Sequence, residues 1–169
     1  MAYAGRVLSI RSQTTHELRE KLKRRAGLAG DADEVILRLR ENGILNDQHF
    51  AETFAGWRRD NEGFGKTRVV RDLLARKVAP EVAKKATEKQ YAATDEVALI
   101  GQYLARKYRT RSLGELLASE NPDREKNLAS AYRKLRGAGF STGNSIKVLK
   151  RYAAEAERLE EMEEVAGEE

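Results

Sequence analysis

Pairs of aliphatic residues four positions apart recur along this chain in a common register: Leu18 with Leu22, Val69 with Leu73, and Ala131 with Leu135. Spacing of four is one stripe of an α-helix. Val78 stands five residues beyond Leu73 and Phe140 five beyond Leu135, whereas Leu28 stands six beyond Leu22, which reads as one inserted residue in Arg25-Ala26-Gly27-Leu28. Such a recurrence constrains the fold strongly, because each copy must bury its stripe against neighbouring helices rather than inside one broad core.

Helix signals fill the rest of the chain. Alternating β-branched runs are absent, and no Asn-Gly or Asp-Gly turn joins two of them. Thr14 with Glu17 has the spacing of a capping box, opening a helix whose stripe is Leu18, Leu22 and Ala26 and which ends near Gly27. Asp31 with Glu34 repeats that start ahead of Val35 and Leu39, and Gly43 stops it. Asn46 or Asp47 caps a third segment in which Phe50, Phe54 and Trp57 share one stripe, read as buried core. Gly63 and Gly65 break the chain before Val69 and Leu73, and Pro80 fits the first turn of a helix carrying Val82 and Ala86. Thr94 is the expected cap of a helix with Val97, Ile100 and Leu104, and Asn121-Pro122 the expected opening of one with Leu128, Ala131, Tyr132 and Leu135. A last helix carries Ile146, Leu149, Tyr152, Ala156 and Leu159 before running into glutamates.

The expected fold is therefore all-α, an elongated, curved array of three tandem three-helix repeats: residues 1–43, 44–92 and 93–160, followed by an acidic tail at 161–169 expected to be disordered. Composition agrees, since 35% charged and 7% aromatic residues suit several small helix seams better than one large core. There is no cysteine, and His16 and His49 lack the paired spacing of a zinc site, so neither metal nor cofactor is expected. No segment approaches the roughly 18–20 apolar residues of a membrane span, and a cytoplasmic monomer is the expectation.

Charge is segregated. Residues 155–169 hold eight glutamates and one arginine, leaving 31 Lys and Arg against 19 Asp and Glu in residues 1–154, a net of +12. A body of this sign suits polyanions or an acidic protein partner. The cations cluster at Lys21, Lys23, Arg24 and Arg25; at Arg58 and Arg59; at Arg106, Lys107, Arg109 and Arg111; and at Lys147, Lys150 and Arg151. One cluster is an ordinary helix end, where cations complement the dipole. Recurrence in every unit points instead to a surface that tracks a repeating anionic ligand. Gly65-Lys66-Thr67 resembles part of a phosphate loop, but Asp60 stands where its first glycine belongs and a helix precedes it. Paired acids such as Asp31 with Asp33, and Asp95 with Glu96, sit at expected helix starts, where negative charge is favoured without any acid–base role.

These residues resemble the RecX family, regulators of the RecA recombinase. The family's opening pattern Arg-x-x-Ser/Thr-x-x-Glu-Leu-x-x-Lys-Leu is similar to Arg11, Thr14, Glu17, Leu18, Lys21 and Leu22. Its junction Gly-Ile/Tyr-Leu/Ile-Asn/Asp-Asp-x-x-Phe-Ala looks like Gly43, Ile44, Leu45, Asn46, Asp47, Phe50 and Ala51. Arg58, Arg59, Gly63, Gly65 and Arg68 follow an arginine-rich helix end and glycine turn, and Leu135, Gly139, Phe140 and Ser141 resemble the third unit. One departure stands out: the family's Lys-Gly-Ile/Val is here Arg76-Lys77-Val78, so the glycine of a left-handed cap is missing and a differently shaped turn is expected.

The resemblance implies a non-enzymatic modulator, mainly an inhibitor, lying in the groove of the RecA–single-stranded DNA filament and limiting filament extension, ATP hydrolysis and strand exchange. Recombination, DNA repair and the SOS response would be regulated through it. The candidate contacts with RecA or with single- or double-stranded DNA are Lys23, Arg24, Arg25, Arg58, Arg59, Arg106, Lys107, Arg109, Arg111, Lys147, Lys150 and Arg151. The rival reading from the residues is a tandem helix-turn-helix protein that binds DNA directly.

Overall fold

The computed structural model describes residues 1–25, 29–110 and 112–167, with side chains described for 1–25, 30–110 and 112–154. Among them every regular element is helical: α1 (Ala2–Ile10), α2 (Thr15–Lys23), α3 (Ala29–Glu41), α4 (Asp47–Trp57), a π-helical turn (Arg58–Glu62), α5 (Lys66–Ala75), α6 (Pro80–Tyr91), α7 (Glu96–Lys107), α8 (Leu113–Leu117), α9 (Arg124–Gly137) and α10 (Thr142–Gly167). The chain divides into two compact units, one of Met1–Arg58 with Val69–Ala92 and the other of Arg59–Arg68 with Ala93–Glu169.

In the first unit, α1, α2 and α3 close over Ala4, Leu18, Leu22, Ala32, Ile36, Leu39 and Leu45. The capping box is present in full: Glu17 N–H donates to Thr14 Oγ1, and Thr14 N–H donates back to Glu17 Oε2, both at 3.1 Å. Thr14 is wholly buried because its hydroxyl also donates to the carbonyl of Arg76 (3.1 Å). Asn46 caps α4 by accepting from His49 N–H, while Asp47 accepts from Thr15 N–H at 2.7 Å and so helps cap α2 across the unit. α4 packs on α6, and both helices bury alanines, Ala51 and Ala55 on α4 and Ala83 and Ala86 on α6, small side chains that suit a close approach of two helices. The expected start at Asp31 is two residues late, since α3 already runs from Ala29; its buried stripe is Ala32, Ile36 and Leu39, with Val35 only half-buried.

Helix ends repeat one device. After α5, Val78 N–H donates to Leu73 O (3.1 Å) and Lys77 N–H to Leu74 O (2.9 Å). After α9, Phe140 N–H donates to Leu135 O (3.2 Å) and Gly139 N–H to Arg136 O (3.1 Å). This is the Schellman arrangement, so the five-residue step from Leu73 to Val78 and from Leu135 to Phe140 marks the first and last residues of a helix cap. α3 ends likewise at Gly43, with Ile44 N–H on Leu39 O. The turn at Arg76-Lys77-Val78 is therefore not reshaped by the missing glycine. Lys77 adopts the left-handed conformation itself, at φ 61°, beside Gly43 at 68° and Gly139 at 90°.

The second unit buries Leu99, Ile100, Tyr103 and Leu104 of α7, Leu113 and Leu117 of α8, Ala131 and Leu135 of α9, and Val148 and Leu149 of α10 around Phe140, whose ring meets Tyr103 edge-on at 5.5 Å. α8 is a fourth helical segment in a span expected to hold three. Its five residues present Leu113 and Leu117 on one side, and Asn127 Nδ2 donates to the Leu116 carbonyl at 3.0 Å. Three further expectations are corrected. Asp95, not Thr94, caps α7, accepting from Val97 and Ala98. Asn121-Pro122 forms a turn ahead of α9, with Asn121 Oδ1 accepting from Asp123 N–H. On α10, Ser145, Val148 and Leu149 face the core and Ile146 is 42% exposed. Ala26, Gly27 and Leu28 lie outside the described residues, as do the side chains of Ala156 and Leu159. The backbone of α10 continues to Gly167, past the expected end at 160.

Candidate partner-binding surfaces

The structure sorts the clustered cations into those that hold the fold together and those that face solvent. Arg58 is ion-paired with Asp72 at 2.6 Å, with both side chains about one-fifth exposed, and its guanidinium lies 5.2 Å from the Phe54 ring centre. Arg59 pairs with its neighbour Asp60 at 2.7 Å, and its charge helps keep that carboxylate below the usual range, chiefly through the hydrogen bond. Arg106 lies over Gly63 and donates to the Asn61 carbonyl at 2.9 Å, so closely that a Cβ on Gly63 would meet the guanidinium at 1.8 Å. Gly63, at φ +64°, holds the left-handed conformation that glycine adopts without a Cβ penalty.

The remaining candidates are exposed. Lys23 is 3.8 Å from Glu20, Arg25 stacks on Tyr3 at 4.7 Å, and Lys107 lies 5.5 Å from the Tyr103 ring centre. Arg24 and Arg109 are exposed, and Arg111 lies outside the described residues. On α10, Lys147, Lys150 and Arg151 are all exposed, beside Ile146. Val148 and Leu149 point the other way into the core, so helical geometry directs the three cations together into solvent. This helix follows α9 through the tight turn at Gly139, which gives the pair a helix-turn-helix outline.

Gly65-Lys66-Thr67 is committed to structure. Gly65 N–H donates to Ala138 O (2.8 Å) and Thr67 N–H to Gly139 O (3.2 Å), so the start of α5 docks on the end of α9 through backbone alone. A Cβ on Gly65 would come within 2.4 Å of the Gly139 carbonyl oxygen. The amides that a phosphate loop would turn toward its ligand are used here between two helix ends. His16 and His49 are exposed in first helical turns, and among the described residues no group of three or more His, Cys, Asp or Glu could hold a metal ion. Asp95 caps α7. Glu96 accepts from Ser141 N–H (2.9 Å), Ser141 Oγ (2.5 Å) and Asn144 Nδ2 (2.5 Å) and so holds the start of α10. Burial works to raise the pKa of Glu96, but these hydrogen bonds and the charge of Arg136 outweigh it and leave the pKa below the usual carboxylate value.

One surface was not legible beforehand. Of the aromatic stripe, Phe50 is buried (7% exposed) and stacks on Phe54 at 5.9 Å, but Trp57 is 52% exposed, which corrects its reading as core. Trp57, Phe54, Ile44, Leu8, Arg11 and Gln13 are among the residues lining an open groove of about 990 Å³ in the first unit. Ile44 is 59% exposed while Leu45 is buried, because both of their amides bond to Leu39 O and the left-handed Gly43 turns the intervening side chain outward. Arg76 lies 4.9 Å from the Phe50 ring centre and 5.3 Å from that of Phe54, anchored by Glu17 at 2.9 Å. The sequence signal for this groove was the glycine-turn junction at Gly43, read as a helix stop and as a family pattern rather than as a surface.

The exposed cations and the apolar groove are surfaces on which a partner could be held, and the chain's relatives give the class. Residues 46–86 match the family model described as RecX, second three-helix domain. The chain is 28% identical over 160 residues to the regulatory protein RecX of Amycolatopsis mediterranei, covering 92% of this chain and 86% of that one. It is 31% identical over 105 residues to the regulatory protein RecX of Trichlorobacter lovleyi, covering 62% and 68%. The crystal structure of RecX from Lactobacillus salivarius superposes with a TM-score of 0.63 at 18% identity, over 89% of this chain and 92% of that one, which is a likeness of fold. The chain belongs to the RecX family. Among the described residues no helix is long and apolar enough to cross a membrane.

Proposed function

We propose that this protein is a non-enzymatic modulator of RecA, mainly an inhibitor, that binds in the groove of the RecA–single-stranded DNA filament and limits filament extension, ATP hydrolysis and strand exchange. Recombination, repair and the SOS response are the processes it would govern, as a cytoplasmic monomer. Family membership is the observation that carries this reading, and the exposed cations of α10 supply a surface of the right sign. Three helical repeats, 1–43, 44–92 and 93–160, would each add modest contacts to a polymer of identical subunits, and linkage on one chain multiplies weak contacts through effective concentration. Polyanion contact makes such binding strongly salt-dependent.

The experiment is RecA ATPase activity and strand exchange on single-stranded DNA, with the protein titrated in, beside a binding assay on naked DNA. Suppression at concentrations where naked DNA is not bound supports the modulator. Tight duplex binding with no effect on RecA supports direct DNA recognition by the α9–α10 helix-turn-helix outline. Reversing Lys147, Lys150 and Arg151 to glutamate removes surface charge without touching Val148 or Leu149. Arg58 and Arg106 are unsuitable for that purpose, since their reversal would disturb Asp72 and Gly63.

A further inference from the structure

We propose that the groove lined by Ile44, Phe54, Trp57, Leu8, Arg11 and Gln13 seats a short segment of the partner protein in which a bulky apolar side chain lies beside a carboxylate. Its volume, about 990 Å³, is at the upper end of the range of about 300–1,000 Å³ typical of ligand pockets, which suits a stretch of polypeptide. The apolar anchors are Ile44 and Trp57, each more than half exposed, and exposed tryptophan is the side chain most often decisive at protein interfaces. Charge selects the rest of the occupant: the lining includes Arg11, His49 and Arg76 and no Asp or Glu. Arg76 is already paired with Glu17, whereas the exposed Arg11 has no ion pair among the described residues and is the cation left for an incoming carboxylate. Gln13, in the same lining, is 4% exposed and donates to the carbonyls of Arg11 and Ser12, which fixes the backbone that carries the Arg11 side chain. Stacked bases fit less well, because Phe50 is buried and Trp57 is the groove's well-exposed ring.

This inference rests on the reading of the protein as a RecA modulator, with a RecA subunit as the partner. Trp57 is the chain's one tryptophan, so protein labelled with 5-fluorotryptophan gives a single fluorine resonance from the groove. Addition of RecA filaments on oligo(dT) is expected to shift or broaden it, and Ile44→Asp or Arg11→Glu to weaken filament binding about 30-fold or more, the range of interface hot spots. Circular dichroism and thermal melting of each variant confirm its fold. An unchanged resonance on filaments that the protein demonstrably inhibits overturns the groove while leaving the modulator reading intact; no inhibition by the wild-type protein overturns that reading first. A resonance that moves with oligo(dT) alone, or with the protein's own concentration, also overturns the proposal, since the occupant would then be nucleic acid or a second copy. Leu37, 55% exposed on α3 and outside the groove lining, is the control: Leu37→Asp should bind as wild type, and an equal loss there would show that the effect is not the groove's.

Discussion

Replacing Lys77 with glycine should stabilise this protein. Lys77 is the single non-glycine residue with positive φ among the described residues, at 61°, and it occupies the position that Gly139 fills in the equivalent cap after α9. A left-handed conformation places Cβ too near the following carbonyl oxygen and costs roughly 1–2 kcal/mol for an L-residue. Glycine removes that strain but loses more backbone freedom on folding, about 0.5–1 kcal/mol. The centres of the two ranges leave a net gain of about 0.75 kcal/mol, since Lys77 is exposed and its side chain leaves no cavity behind. For a chain of this length such a gain raises Tm by about 1–4 °C. Urea denaturation followed by circular dichroism should show a higher midpoint with unchanged slope, in the transition that unfolds the unit containing Val69–Ala92. Lys77→Ala separates backbone from charge: it keeps Cβ and should stay within about 0.5 kcal/mol of wild type. If Lys77→Gly leaves the midpoint unmoved, or Lys77→Ala raises it equally, the strain argument is refuted.

Glycines at the other caps should respond in a graded way, read by the same denaturation. Gly43→Ala meets no atom within 4 Å and should lose only the net conformational term worked out for Lys77, about 0.75 kcal/mol, whereas Gly139→Ala would place Cβ 2.2 Å from the Arg68 amide nitrogen and should lose about 3 kcal/mol or more. Arg58→Ala removes the 2.6 Å ion pair to the partly buried Asp72 and should destabilise by about 1–3 kcal/mol, whatever it does to binding. Glu96 sets an acid limit. Its pKa is lower folded than unfolded, so its contribution is full above the ordinary carboxylate pKa and is lost as pH falls through the folded value; Tm measured from neutral to acidic pH should fall less steeply for Glu96→Gln than for wild type. In the ATPase assay, the triple reversal of Lys147, Lys150 and Arg151 should weaken inhibition and flatten its salt dependence at unchanged Tm.

The helical class and most helix positions were readable because stripes, caps and glycine stops are local signals. Thr14 with Glu17, Pro80 and Gly139 each act where the spacing placed them. What escaped depended on partners distant in sequence. Periodicity grouped Trp57 with Phe50 and Phe54, but Trp57 is the last residue of α4 and stands 52% exposed. On α10 the buried position is Ser145, which hydropathy does not mark; its hydroxyl bonds to the Ser141 carbonyl at 2.6 Å, while apolar Ile146 faces out. α8 is too short to show a period. The basic clusters were visible as composition, yet nothing in the neighbourhood of Arg58 reveals a carboxylate fourteen residues on, and nothing near Arg106 reveals a glycine waiting under its guanidinium.

The arginines that clasp Asp72 and Glu17 bear on how this protein's ionic behaviour is to be interpreted. Counterions released on meeting a polyanion number only as many as the cations that exchange their small-ion atmosphere for phosphate. Side chains already neutralised by an internal carboxylate release none, so a logarithmic salt plot should be shallower than the formal charge of residues 1–154 suggests. Those same pairs are largely shielded from solvent and are screened by added electrolyte far less than exposed contacts, so release from a polyanion should precede any loosening of the fold as ionic strength rises.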